Sequence, residues 1–151
     1  MVPKETDELR DITLPIIERS FSINAFGPVL LTQALLSNIL AAPAPRHIAI
    51  VSSRVGSIAD NSSGGYLSYR ASKTAANSFF KTISLEMQKH NVVVSMLHPG
   101  FTNTSLDPDI GSMPGVVEPE EAASKLWTVL QSKGMADPGI FWHRESMELP
   151  W

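Results

Sequence analysis

Tyr69 and Lys73 lie four residues apart in this chain. On a helix, that spacing places two side chains on one face, one turn apart. A phenol has a reference pKa of about 10, and an ammonium about 4 Å away favours the phenolate by roughly 1–4 kcal/mol. The pair is therefore a candidate acid/base in which Lys73 lowers the Tyr69 pKa toward neutral pH. On spacing alone, a surface tyrosine and a solvated lysine are the competing interpretation.

A second tyrosine has the same relationship to a cation, because Tyr66 precedes Arg70 by four residues. An arginine does not lose its proton in proteins, and its planar guanidinium binds anions through several hydrogen bonds at once. Tyr69 is therefore the better candidate for proton transfer.

Two serines, Ser52 and Ser53, end a short apolar run rich in β-branched residues. Successive residues of a strand point to opposite faces, so only one of the two hydroxyls can point out of the sheet toward a ligand, and we favour Ser53. A serine at this place can also cap the turn into the following loop. Both interpretations stay open for Ser53.

Two other polar positions are candidates for ligand contacts. Asn24 precedes Gly27-Pro28 within an apolar helical stretch. A buried amide needs partners, so Asn24 either binds a carbonyl freed at the proline kink or holds a water in a proton relay. Pro99-Gly100 gives a tight exit from a later strand, after which Thr104 can bond an amide-like ligand. A plain loop is the alternative for this second position.

The elements that must position these residues follow from hydrophobic periodicity. The pattern predicts a polar, frayed start over 1–11, a helix over 12–42 kinked at Gly27-Pro28, a strand over 47–53, a loop over 54–65, a helix over 66–90, a strand over 92–97, a flexible stretch to about 117, a helix over 118–132 and a strand over 139–143. This alternation predicts an α/β fold whose parallel sheet is covered on both faces, with ligands at the carboxyl ends of the strands. Ser53 and Gly100 lie at two such ends.

Composition narrows the classes of function. The chain has 151 residues, enough for a single domain over 1–151, with a net charge of -3 and no basic stripe, which argues against nucleic acid as a partner. It has no cysteine, and its four histidines, at 47, 90, 98 and 143, lack metal-ligand spacing, so we predict no metal site. The cysteine-free composition fits a reducing compartment and predicts a cytoplasmic protein. No apolar run approaches the ~18 residues of a membrane span, so we predict no membrane association.

Together these motifs resemble the short-chain dehydrogenase/reductase family. The resemblance rests on four stretches in a fixed order: Ser22 to Pro28 around Asn24, the pair Ser52-Ser53, Tyr69-Arg70-Ala71-Ser72-Lys73, and Leu97 to Thr104. The stretch from Ser52 to Gly65 and the ending Glu148-Leu149-Pro150-Trp151 are similar to the C-factor and sniffer group of carbonyl reductases. Some fungal polyketide ketoreductases are similar as well, so the resemblance also implies a possible role for this protein in secondary metabolism.

The resemblance implies a reductase that uses NADP or NAD, with NADPH favoured. Hydride would pass from the cofactor to a ketone or aldehyde carbon of a small-molecule carbonyl substrate. Tyr69 would donate the proton to the carbonyl oxygen, and Ser53 would hydrogen-bond that oxygen. Lys73 would lower the Tyr69 pKa and bind the nicotinamide ribose together with Tyr69. Asn24 would anchor a water that relays protons to Lys73.

The same resemblance assigns a cofactor-binding loop. Pro99, Gly100, Phe101 and Thr104 correspond to the family's loop on the nicotinamide side, where Thr104 and the Phe101 backbone would hold the carboxamide. The family's helices corresponding to 12–42 and 66–90 form its dimer interface. A homo-oligomer, or pairing through these two helices, is therefore expected.

One departure from the family is large. Its glycine-rich turn, Thr-Gly-x-x-x-Gly-x-Gly, cradles the pyrophosphate after the first strand, and these 151 residues contain no such turn. We therefore expect only the C-terminal half of a doubly wound, Rossmann-type parallel sheet, with about three strands and three helices. Two functions compete: a reductase whose cofactor-binding half lies elsewhere, and a non-enzymatic remnant that pairs with a full-length relative. A plain α/β binding module would not explain the four motifs.

Overall fold

Residues 6–106 and 110–151 are described by the computed structural model. Residues 1–5, which belong to the predicted frayed start, and residues 107–109, which belong to the predicted flexible stretch, lie outside the described part of the chain. The helices are α1 (Leu14–Phe21), α2 (Gly27–Ala41), α3 (Leu67–Met87) and α4 (Pro119–Ser132), and the strands are β1 (Arg46–Val51), β2 (Val92–His98) and β3 (Phe141–His143). A π-helical turn, Ser22–Phe26, joins α1 to α2, and short 3-10 turns occur at Arg54–Gly56, Gln88–His90 and Ile110–Ser112.

The three strands form one parallel sheet in the order β1-β2-β3. Their register pairs Val51 with Leu97 and Leu97 with Trp142. Just beyond β1, the Ser52 amide still donates to the Leu97 carbonyl at 2.7 Å. The carboxyl ends of the strands therefore meet at one edge of the sheet, as the alternation of elements predicts.

Apolar side chains cover both faces of the sheet. On one face, Val94 and Met96 of β2 pack with Phe80 of α3 and with partly buried residues of α2. On the other face, Leu97 packs with Val129 of α4 and with Trp142. Alternate residues of β2 thus face opposite layers of helix, which confirms the predicted α/β arrangement with helices on both faces.

The start of the described chain is ordered by Asp7, which the sequence interpretation placed in a frayed segment. The Asp7 side chain is fully buried, and its carboxylate accepts hydrogen bonds from the amides of Ser68 (2.7 Å) and Tyr69 (3.2 Å). The first amides of a helix have no partner within the helix. Asp7 satisfies two of them at the start of α3, so the predicted frayed start is wrong for this residue.

The predicted kink near Gly27-Pro28 takes the form of the π-helical turn just before it. The Gly27 amide donates to the Ser22 carbonyl, five residues earlier, instead of four. Pro28 has no amide hydrogen, so the usual helical bond to the Asn24 carbonyl cannot form. The extra residue in the turn lets α1 continue into α2 without a break.

The continuous helical segment Leu14–Ala41 has 28 residues and is long and apolar enough to cross a membrane, by length and composition alone. The expectation that no apolar run approaches that length is therefore wrong, because the π-helical turn joins two helices into one. Core helices of soluble proteins meet the same criterion. Here Ile23 (61%), Leu30 (60%) and Leu31 (61%) are exposed, so one side of the segment presents apolar side chains to the surface.

Candidate active site

Tyr69 and Ser53 meet at the carboxyl end of β1. Tyr69 lies in the first turn of α3, and Ser53 directly follows the strand end as the residue that precedes the Arg54–Gly56 turn. The Ser53 hydroxyl accepts from the Val55 amide at 3.4 Å and lies near enough to the Tyr69 phenol to lower its pKa. Ser53 thus caps the turn, which bears out one of the two interpretations left open by the sequence, and its contact with a ligand stays a prediction.

Ser52 takes the structural role. It is buried, and its hydroxyl donates to Oδ1 of Asn77 in α3 at 2.6 Å. Ser53 is half-buried beside Tyr69. The two serines therefore divide as strand alternation predicts.

Lys73 lies one helical turn after Tyr69, as the spacing predicts. Its Nζ donates to the Val51 carbonyl at 3.0 Å and lies 5.8 Å from the centroid of the Tyr69 ring. The ammonium is therefore attached to the end of β1 and close to the ring.

The pKa of Tyr69 is raised, so the predicted shift toward neutral pH is wrong in its direction. Burial raises this pKa because the phenolate loses water, and the Ser53 hydroxyl beside the phenol offsets part of the rise. Burial lowers the pKa of Lys73. That Lys73 acts on the Tyr69 pKa stays a prediction. Tyr69 is consequently a protonated phenol at neutral pH, which suits a proton donor.

The turn that follows Ser53 is held tightly against α3. Thr74 Oγ1 donates to the Gly56 carbonyl at 2.7 Å. A Cβ built on Gly56 would lie only 2.8 Å from Cβ of Lys73. Only glycine allows this close approach, which sets the position of Ser53 relative to the helix that carries Tyr69 and Lys73.

Asn24 reaches the site through Ser72. Its amide Nδ2 donates to Ser72 Oγ at 3.1 Å, and Ser72 Oγ donates to the Tyr69 carbonyl at 2.8 Å. One turn earlier, the hydroxyls of Ser20 and Ser68 are 2.9 Å apart, so two polar pairs fasten the helical segment to α3. The Asn24 side chain thus hydrogen-bonds Ser72, a partner that neither interpretation from the sequence named.

A pocket of about 430 Å³ opens beside this helix pair. Asn24 and Lys73 both line it, together with residues of the π-helical turn, of α2 and of the free edge of β1. Because Pro28 cannot donate, the Asn24 carbonyl is free of its usual helical partner in the wall of this pocket.

Pro99, Gly100 and Phe101 follow β2, at the edge of the sheet where Ser53 follows β1. Gly100 has a left-handed backbone conformation with φ +70°. Thr104 is exposed, and its Oγ1 accepts from the Leu106 amide at 3.3 Å, so it forms a local turn. Phe101 is also exposed, at 47%.

Arg144 is a residue of this loop that sequence reasoning missed. Its buried guanidinium donates to the carbonyls of Pro99 (2.7 Å), Phe101 (2.9 Å) and Gly115 (2.8 Å). Neither periodicity nor spacing marks it, since its partners are distant in the sequence. The only sequence signal is an arginine directly after the predicted last strand.

His98 is a second missed residue, at the end of β2. Burial, with positive groups on His143, Arg54 and Arg144 nearby, lowers the pKa of His98 to about 3. Its ring lies 5.3 Å from that of His143. His98 is therefore neutral at physiological pH.

Arg70, the cation of the alternative tyrosine pair, has a structural role. Its guanidinium donates to the carbonyls of Val55 (3.2 Å), Gly64 (3.0 Å) and Gly65 (2.9 Å) and thereby holds the loop before α3. Across residues 6–106 and 110–151, no cluster of three or more histidine, aspartate or glutamate side chains could hold a metal ion.

Known proteins are similar to this chain in sequence and in structure. A model of the short chain dehydrogenase family matches residues 3–115. The chain is 35% identical, over 96% of its length and 63% of the relative's, to 1-hydroxy-2-glutathionyl-2-methyl-3-butene dehydrogenase of Rhodococcus sp. (strain AD45). It is 32% identical to the C-signal protein of Myxococcus xanthus, over 95% of this chain and 83% of that protein.

Its structure superposes on that of NADPH-bound carbonyl reductase from chicken fatty liver with a TM-score of 0.85 and 26% identity, over 97% of this chain and 61% of that one. The chain thus spans about three fifths of the length of that reductase and of the Rhodococcus relative. These matches confirm the resemblance inferred from the four motifs. The chain belongs to the short-chain dehydrogenase family of NAD(P)-dependent oxidoreductases.

Proposed function

We propose that this chain forms the carbonyl-activating part of an NAD(P)H-dependent reductase that converts a ketone or aldehyde to an alcohol. The observation that carries the proposal is the proximity of the Ser53 hydroxyl to the Tyr69 phenol at the carboxyl end of β1, with Lys73 one turn further along α3. Two hydroxyl donors that converge on one point can polarise a carbonyl oxygen and stabilise the negative charge that develops there.

Tyr69 acts as the proton donor. Burial raises its pKa, so the phenol is protonated at neutral pH and can transfer its proton to the carbonyl oxygen as that oxygen becomes an alkoxide. Ser53 hydrogen-bonds the same oxygen. The C–O π electrons move to oxygen as a hydride reaches the carbon, and the O–H bond formed at oxygen comes from Tyr69.

Lys73 and Asn24 supply the path by which Tyr69 regains its proton. Burial lowers the pKa of Lys73, which makes its ammonium a better proton source than an exposed lysine. Lys73 and Asn24 line the same pocket, and Pro28 has no amide hydrogen to donate to the Asn24 carbonyl. A water held by that carbonyl would connect Lys73 to solvent.

The donors at this edge fit the nicotinamide end of the cofactor, which supplies the hydride when bound. Lys73 and Tyr69 offer donors for the ribose hydroxyls, and the backbone of Pro99, Gly100 and Phe101, with Thr104 further along, offers partners for a carboxamide. We propose NADPH over NADH on the strength of the NADPH-bound structural relative.

A small neutral carbonyl compound is the proposed substrate. The loop over 54–66 contains two charged side chains, Arg54 and Asp60, and they form an ion pair with each other. Neither is therefore free to bind an acidic or phosphorylated substrate. A polyketide or related secondary metabolite is one such substrate class. On its cysteine-free composition we propose a cytoplasmic location.

The test is NADPH oxidation by the purified protein with a panel of ketones and aldehydes. Tyr69→Phe should lower kcat by roughly 10²–10⁴-fold, the usual contribution of a positioned general acid. Tyr66→Phe removes a hydroxyl from the other tyrosine of the same region and is the matched control, expected to keep activity. Equal turnover by wild type and Tyr69→Phe would refute the proposed function.

The alternative, a non-enzymatic partner of a longer relative, is supported by the exposed apolar side chains of α1 and α2. We propose that pairing, with a second copy or with that relative, uses the helices over 12–42 and 66–90, where Ile23, Leu31 and Leu85 are exposed. Leu31→Glu should then shift sedimentation toward the monomer. Tight NADPH binding by the chain alone would count against a purely non-enzymatic role.

A further inference from the structure

Arg144 closes the loop that begins at the end of β2. The guanidinium is almost fully buried, and one of its nitrogens, Nη1, donates to both the Pro99 and Phe101 carbonyls, while Nη2 donates to the Gly115 carbonyl. The first two partners begin the segment from 99 to 117, and the third lies near its end. One planar group therefore joins the two ends of the segment.

The Arg144 guanidinium packs closely against the backbone of the loop. A Cβ on Gly100 would lie 2.5 Å from Nη1, so the guanidinium packs directly on the Gly100 backbone. Beside it, the Val117 amide donates to the Phe101 carbonyl at 3.1 Å, and the Asn103 amide donates to the Val117 carbonyl at 2.9 Å. The Phe101 carbonyl thus accepts from both Arg144 and Val117.

These contacts determine where the loop's amides point. Among the described residues the only cis peptide bond is Ala44-Pro45, so the bonds that link Pro99 to Gly100 and Phe101 to Thr102 are trans. In a trans peptide the carbonyl and the following N–H point in opposite directions. Carbonyls of Pro99 and Phe101 turned toward Arg144 therefore turn the amides of Gly100 and Thr102 away from it.

We propose that Arg144 is a positioning residue that presents the amides of Gly100 and Thr102 as donors to the carboxamide end of a nicotinamide cofactor. This inference rests on the proposed function, and it adds Arg144, a residue that the family motifs do not contain. Arg144 itself touches neither cofactor nor substrate. It acts by holding three carbonyls on one side of the loop, and a lysine at this place cannot reproduce the planar fork.

The experiment compares Arg144→Gln and Arg144→Lys with a matched control, Arg46→Gln. Arg46 also donates from its guanidinium to backbone carbonyls, those of Ala42 (2.7 Å) and His90 (3.0 Å), but at the opposite, amino end of β1. Hydrogen exchange is measured for the amides of residues 100–103, and dissociation constants are measured for NADPH and for reduced nicotinamide mononucleotide, which lacks the adenosine half.

Arg144→Gln should speed exchange at Gly100 and Thr102 and raise both dissociation constants on the order of tenfold, since three carbonyls lose a charged donor. Arg144→Lys should lie between it and wild type, and Arg46→Gln should alter neither readout. Gly100→Ala disturbs the same contact, because its Cβ would lie 2.5 Å from Nη1 of Arg144, and it should have the same effects as Arg144→Gln. This second variant keeps the test decisive if Arg144→Gln folds poorly.

Two results would overturn the inference. Unchanged exchange in Arg144→Gln would mean that the guanidinium does not hold the loop, whatever the protein's activity. Faster exchange with unchanged affinity for both nucleotides would mean that the loop's amides do not bind the cofactor. Wild-type protein that bound neither nucleotide while keeping protected amides would instead refute the proposed function, so the two failures are distinguishable.

Discussion

Gly56 packs closely against Lys73, because a Cβ built on the glycine would lie only 2.8 Å from the Cβ of Lys73. The turn that carries Ser53 is therefore seated directly on the helix that carries Tyr69. Ser53 and Tyr69 come from different elements, and this close packing helps to fix the position of one element relative to the other.

Substitution of Gly56 should disturb both stability and activity. In Gly56→Ala the new methyl group would also meet the Lys73 carbonyl carbon at 3.0 Å and the Thr74 amide at 3.1 Å, so the backbone must shift. Overpacking of this kind costs about 1–3 kcal/mol of unfolding free energy. We expect urea denaturation to show that loss and kcat to fall with it.

Gly134→Ala is the matched control, because nothing lies within 4 Å of a Cβ at that position. If Gly56→Ala proved as stable and as active as Gly134→Ala, the turn would not depend on the close approach.

Removal of the Asp7 carboxylate should loosen the start of α3. The carboxylate accepts from the amides of Ser68 and Tyr69, and loss of such a helix cap costs about 0.5–2 kcal/mol. Asp7→Ala should lower the free energy of unfolding by that amount and speed hydrogen exchange at both amides, while Asp7→Asn, which keeps one acceptor oxygen, should lose less. Asp11→Ala changes an exposed carboxylate nearby and should have little effect.

His98 should make the fold sensitive to acid. Its folded pKa is about 3, whereas an unfolded histidine has a pKa of about 6.5. Between these values the unfolded chain binds a proton that the folded chain does not, so the stabilising contribution is complete above about pH 6.5 and is lost as the pH falls toward about 3.

The measurement is urea denaturation of wild type and His98→Gln at pH 7 and pH 4.5. Wild type should lose roughly 1–3 kcal/mol more than the variant between the two pH values, since a tenfold difference in proton affinity between the folded and unfolded states corresponds to about 1.4 kcal/mol. Equal losses in the two proteins would show that His98 does not contribute to the pH dependence.

Asn24 and Ser72 should be energetically coupled. The amide of Asn24 donates to Ser72 Oγ, which in turn donates to the Tyr69 carbonyl. In a double-mutant cycle, Asn24→Ala and Ser72→Ala should show a coupling of about 1 kcal/mol in unfolding free energy. Strict additivity of the two losses would mean that the hydrogen bond contributes nothing to stability.

Local sequence patterns were sufficient to predict those parts of the site that lie within a single helix or strand. Helical spacing alone places Lys73 one turn after Tyr69, and strand alternation separates the roles of Ser52 and Ser53. The order of helices and strands likewise predicts the parallel sheet and the edge at which these residues meet, because connections between parallel strands must cross over.

What the sequence could not predict depends on contacts between distant residues. Asp7 caps α3 from 61 residues away, and Arg144 reaches Pro99 across 45 residues. The direction of the Tyr69 pKa shift was also out of reach, because it depends mainly on how deeply the phenol is buried.

The π-helical turn at Ser22–Phe26 holds one residue more than a turn of α-helix. Because the extra residue is absorbed within that turn, the helices on either side keep their own packed faces, and Val29, Leu36, Ile39 and Leu40 of α2 lie against the core. Each residue of a regular α-helix rotates the chain by about 100°, so a residue added to or removed from α2 itself, where no wide turn absorbs it, would swing the side chains beyond it off the sheet. Insertions and deletions among relatives should therefore be rare within α2 and should collect in exposed loops such as the one around Gly64.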